Sequence, residues 1–134
     1  MTLTLPAVSA LYAAILGLLA ALLTVRVILN RVKTGIQAAD GGNAVLGQAI
    51  RAHANFAEQV PLALLLIVLA EAAGTPAAIV HALGAALLLA RLASAWGLSR
   101  SLGASTPRQA GAGLTVLVIA AASLLLLYRL LAAH

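Results

Sequence analysis

The sequence predicts an all-α integral membrane protein, an up-down four-helix transmembrane bundle, from three observations. Of the 134 residues, 63% are apolar and only 8% are charged, and no polar stretch is long enough for a water-soluble domain. The apolar residues gather into four runs, each close to the roughly 20 residues that cross a hydrocarbon core. Between the runs stand turn-forming Gly, Pro, Asn and Asp, and the basic residues are scattered at the ends of the apolar segments, the pattern of a chain meeting a headgroup surface. The chain reads as one membrane domain with spans at about 6–29, 44–73, 76–98 and 108–131.

Ala7 to Val25 is uncharged and opens the first span. No Lys or Arg precedes it, and the run exceeds a usual signal-peptide core, so it is expected to be retained. Arg26, Arg31 and Lys33 follow. Thr34-Gly35 and Asp40-Gly41-Gly42-Asn43 then supply turn chemistry, with Asn43 or Asp40 available as the next helix cap. The second helix is expected from near Ala44 to the Gly-Thr-Pro break at 74–76. At roughly 45 Å it exceeds the hydrocarbon thickness, which places Arg51 at or beyond the interface. Pro61 removes a backbone donor inside it, and a bend is expected there, as a packing feature or as the shaping of a pocket.

Thr75-Pro76 opens the third helix, with proline expected in its first turn. Gly84 and the surrounding alanines offer a smooth surface for close packing. Arg91 and Ser94, at i and i+3, can join one face near its end. His81 reads as a structural histidine close to the opposite interface. A loop from Arg100 to Arg108 leads to the fourth span, which runs from about Gln109 to Tyr128 before Arg129.

The net charge of +5 comes from basic residues at the ends of apolar runs, where anionic headgroups select them, so nucleic acid is not an expected partner. Aromatics at 3% offer no stacking platform for single strands. The absence of cysteine removes disulfides, thiolate nucleophiles and thiolate metal sites, and no metal is expected. Basic residues crowd the first and third loops, while the second has only Glu71 nearby. The 1–2 and 3–4 loops are therefore expected in the cytoplasm and both termini outside, with Arg129 the one opposing charge.

One stretch has more polar chemistry than a span needs: Arg51-Ala52-His53-Ala54-Asn55-Phe56-Ala57-Glu58-Gln59-Val60-Pro61. On a helix, Arg51, Asn55 and Glu58 fall at i, i+4 and i+7 and share a face, with His53 roughly opposite. A charge facing hydrocarbon costs at least a few kcal/mol, so this column must meet protein or water. Arg51 and Glu58 can satisfy each other between helices, or the column can line a ligand site. Spacing does not separate the two.

That stretch, followed by a leucine-rich run and Glu71-Ala72-Ala73-Gly74, resembles the signature of the membrane-associated proteins in eicosanoid and glutathione metabolism (MAPEG), in a bacterial-type member similar to microsomal glutathione transferases. The likeness covers nearly the whole chain, including Arg91 late in the third helix and Arg108 opening the fourth. It implies a homotrimer in a bacterial inner membrane, with glutathione as co-substrate in a cytoplasmic-side cleft between subunits. By the same resemblance Arg31, Arg51, Asn55, Glu58 and Arg91 match glutathione-binding positions. Arginines, a glutamate and an amide are complementary to a ligand with two carboxylates and an ammonium.

Arg108 is the candidate catalytic residue. A guanidinium near the ligand's thiol favours the thiolate, and the start of the fourth helix adds a dipole that favours anions. A headgroup anchor is the competing role for Arg108. The implied reaction is transfer of glutathione to a lipophilic electrophile, or reduction of one, the substrate arriving from the bilayer. Active members carry a Tyr or His near the end of the third helix and often a Tyr after the glutamate; here Ser94, Leu98 and Gln59 stand there. The alternative is a non-catalytic protein binding an anionic lipid or metabolite in the same pocket. A transporter fits less well, because the polar residues cluster at one end and no inverted repeat is visible.

Overall fold

The computed structural model describes residues 6–132. Over these it contains four α-helices, α1 (Ala7–Thr34), α2 (Ala44–Ala72), α3 (Ala77–Arg100) and α4 (Thr106–Ala132). Each is long and apolar enough to cross a membrane. His134, expected at the interface, lies outside the described residues.

The helix ends follow from local chemistry. α1 continues past the expected end of its span to Thr34, because Arg31 and Lys33 in its last turn complement the dipole and Gly35 closes it at φ 69°. Asn43, not Asp40, caps α2: its side chain accepts the Leu46 N–H at 2.9 Å. Asp40 instead accepts the Gly42 N–H at 3.0 Å, shaping the turn before the cap. α2 stays helical through Pro61. Pro76 sits one position earlier than expected, as the N-cap of α3 in an extended conformation (φ −55°, ψ 138°).

Contacts between specific residues fix the topology as up-down-up-down. Glu71, late in α2, accepts the backbone N–H groups of Val8 and Ser9 at the start of α1, at 3.0 and 2.7 Å, so α1 and α2 are antiparallel. The Tyr12 hydroxyl meets His81 Nδ1 at 3.2 Å near the two N-termini, and Arg26 donates to Ser99 near the two C-termini, so α1 and α3 are parallel. Arg91 reaches Gly111 and Thr115 of α4, which makes α3 and α4 antiparallel.

α2 and α3 each pack against every other helix, whereas α1 and α4 share no packing contact among the described residues. The core is a column of Leu16, Leu23, Phe56, Val60, Ile67, Leu87, Leu98 and Val118. Leu18, Leu22, Leu65, Leu117 and Leu124 point outward, as expected of surface meant for lipid.

Because lipid tails are as apolar as leucine, the helices must associate through close packing and hydrogen bonds. Gly84 provides the first: a Cβ there would collide with the Tyr12 ring. Gly111 does the same between α3 and α4, where a Cβ would lie 2.5 Å from the Ala90 carbonyl.

Candidate functional site

The N-terminal half of α2 presents Arg51, Asn55 and Glu58 at the end of the bundle where the α1–α2 and α3–α4 loops lie. Arg51 and Glu58 are exposed and approach only to 4.0 Å, with 47% and 58% of their side chains accessible. That separation exceeds a hydrogen bond, and an exposed ion pair of this kind contributes little stability, so neither charge is locked by the other.

Depth matters here. Glu71 touches the start of α1 and so marks the far end of the bundle. Counting back from it, Glu58 lies about 20 Å away and Asn55 about 24 Å, inside a hydrocarbon layer of about 30 Å, with Arg51 at the opposite boundary. A carboxylate facing acyl chains at that depth costs several kcal/mol. This face therefore needs water or another protein surface against it.

Asn55 is partly buried because it turns inward. Its Oδ1 accepts a 2.9 Å hydrogen bond from Arg91 Nη1. Arg91 is only 1% exposed, and its Nη2 also reaches Ser94 Oγ (3.1 Å), the Gly111 carbonyl (3.0 Å) and Thr115 Oγ1 (2.5 Å). One guanidinium thus ties α2, α3 and α4 together at the level of the column. The expected Arg91–Ser94 face is present. The α4 half of the network was not anticipated, although Gly111 and Thr115, at i and i+4 on an apolar span, are the signal that could have found it.

Arg31 and Arg108 are anchored in the two adjacent loops. Arg31 Nη1 donates to the carbonyls of Ile36 (3.1 Å) and Ala39 (3.0 Å), folding the α1–α2 loop around it. Arg108, in the first turn of α4, donates to the carbonyls of Leu102 (2.9 Å) and Gly103 (3.2 Å). It lines an open hollow of about 310 Å³ with Ala104, Gln109 and Ala112. Among the described residues, no hydrogen bond or ion pair joins Arg31 or Arg108 to Arg51, Asn55 or Glu58 within the chain. The structure brings together two pairs, Arg51 with Glu58 and Asn55 with Arg91, and among the described residues joins neither Arg31 nor Arg108 to them.

Ser94 and Leu98 are buried, while Trp96 is exposed and stacks beneath Arg100, with the guanidinium carbon 4.4 Å from the ring centroid. Among the described residues, no cluster of His, Cys, Asp and Glu could hold a metal ion.

Comparison with known proteins agrees with this architecture. The family model of the MAPEG family matches residues 9–128. Similar curated relatives include the inner membrane protein YecN of Escherichia coli strain K12 and the protein of the same name in an O6:H1 strain. Each is 36% identical over 95 residues, covering 71% of this chain and 72% of the relative. With four membrane-crossing helices and a family match across nearly its whole length, the chain is an integral membrane protein belonging to the MAPEG family.

Proposed function

We propose that the protein is a glutathione-dependent transferase or peroxidase acting on lipophilic electrophiles at the membrane. The observation that carries this reading is that Arg51 and Glu58 stand open on the outside of the bundle, beside a half-buried Asn55, at a depth where bare hydrocarbon cannot cover them. A second and third copy packed against α2 supply the cover, and the cleft between copies supplies the water. Arg51 and Asn55 offer donors to carboxylates, and Glu58 offers an acceptor to an ammonium. Arg31, Arg91 and Arg108 add positive charge around the same end.

In this reading Arg108 activates the thiol. It stands in the first turn of α4, and only Nη1 is engaged with loop carbonyls. Its remaining donors and the helix dipole together favour a thiolate beside it. The inner-membrane location follows the relatives named above, and the excess of basic residues at the site end supports a cytoplasmic side for that end.

The test is a titration of the purified protein with glutathione, following thiolate absorbance and turnover of a generic electrophile. Saturable binding that Arg51→Ala abolishes is the expected result. No binding at millimolar glutathione, with Arg51→Ala indistinguishable from the parent, eliminates the reading.

One observation favours a second reading. No aromatic hydroxyl or imidazole stands late in α3, where Ser94 is committed to Arg91 and Leu98 to the core. A non-catalytic site for an anionic lipid or metabolite needs only the charges. Native mass spectrometry separates the two: a co-purified anionic lipid released by substitution of Arg51 or Glu58 selects the second.

A further inference from the structure

The Arg91–Asn55 contact carries information beyond its contribution to packing. A guanidinium has hydrogen-bond donors and no acceptor. The group it meets on Asn55 at 2.9 Å must therefore be the carbonyl oxygen. The hydrogen-bond partner thus assigns the direction of the amide. With Oδ1 turned inward, Nδ2 is the end left over, and it makes no hydrogen bond within the chain among the described residues.

Arg91 has no freedom to turn away. Its Nη2 is held by three acceptors from α3 and α4, and the Thr115 hydroxyl that accepts from it spends its own proton on the Gly111 carbonyl at 2.8 Å. All four partners of Arg91 are uncharged oxygens. A buried cation with no carboxylate among its partners polarises the amide it touches, making the N–H end of Asn55 a stronger donor.

We propose that Arg91 is a positioning residue: from inside the bundle it fixes Asn55 as an obligate donor on the open column, and the ligand sets a carboxylate or carbonyl oxygen against that amide. The inference rests on the glutathione reading and deepens it. Arg91 acts through Asn55 without touching the ligand, and the column presents a cation, a donor and an acceptor in order along α2.

The experiment uses the full-length protein in lipid nanodiscs, with glutathione as the probe and the thermal midpoint as a control on folding. Asn55→Asp keeps an acceptor for Arg91 and removes the outward donors. Its midpoint is expected to be no lower than the parent's, while its glutathione Kd rises by about tenfold or more. Arg91→Gln frees the amide to turn over, because glutamine both donates and accepts; Arg91→Lys donates only and preserves the direction. Arg91→Lys is therefore expected to weaken binding less than Arg91→Gln.

Parent-like affinity in Asn55→Asp, a lowered midpoint in that variant, or equal affinities for the two Arg91 variants each overturns the proposal while the glutathione reading stands. A parent protein that does not bind glutathione overturns both.

Discussion

The two ends of the bundle use the same few polar residue types in opposite ways. At the end where α2 meets the start of α1, the Glu71 carboxylate accepts from Val8 N–H, Ser9 N–H and the Ser9 hydroxyl, and Tyr12 meets His81 over Gly84. That carboxylate is consumed within the chain and satisfies N–H groups that a helix start otherwise leaves unpaired. At the other end, Glu58 has only a distant arginine and stays more than half exposed. One carboxylate is paired within the chain and the other is left open, and that unspent charge at membrane depth carries the functional proposal.

Substitutions can break this contrast, starting with the largest effect. Gly111→Ala improves helix propensity by about 1 kcal/mol, yet its Cβ would meet the Ala90 carbonyl at 2.5 Å and the Ser94 nitrogen at 2.9 Å. Backbone cannot yield as a side chain can, so a net loss of about 3 kcal/mol is expected in denaturant unfolding from micelles. Gly113→Ala is the control, since nothing lies within 4 Å of its Cβ; there the propensity gain should appear unopposed.

Glu71→Gln retains one acceptor oxygen for three donors and should cost about 2 kcal/mol in the same measurement. Asn43→Ala removes the α2 cap, at about 1 kcal/mol, with the loss read as fraying in far-ultraviolet circular dichroism. Arg51→Ala comes last in stability, at no more than about 0.5 kcal/mol, because its ion pair is long and exposed. Its effect should fall instead on the glutathione titration, which the Asn43 change leaves alone.

Much of this was legible in the sequence because the bilayer restricts the options. Span number, the loop glycines, a cap at Asn43 or Asp40 and the face shared by Arg51, Asn55 and Glu58 follow from helix periodicity and turn chemistry; the structure chose Asn43. Residues that answer one another across helices were not legible. Glu71 read as an acid near the second loop, within the stretch that carries the resemblance, and its partners Val8 and Ser9 were not foreseen. Thr115 was one polar residue in an apolar run until Arg91 was seen to bond it. Periodicity says which way a side chain points along its own helix and is silent about what stands opposite.

The most direct measurement exploits the absence of native cysteine. Single-cysteine variants Ala54→Cys and Leu65→Cys, in proteoliposomes, would be treated with a membrane-impermeant thiol reagent, with and without S-methylglutathione, which has no free thiol. Ala54 is partly exposed between Arg51 and Glu58 on α2 and Leu65 is exposed on the bundle. If the column lines an aqueous ligand cleft, Ala54→Cys is labelled, S-methylglutathione protects it, and Leu65→Cys stays inert against lipid. An Ala54→Cys as unreactive as Leu65→Cys, or one labelled with no protection, contradicts the assignment of this face as a glutathione site.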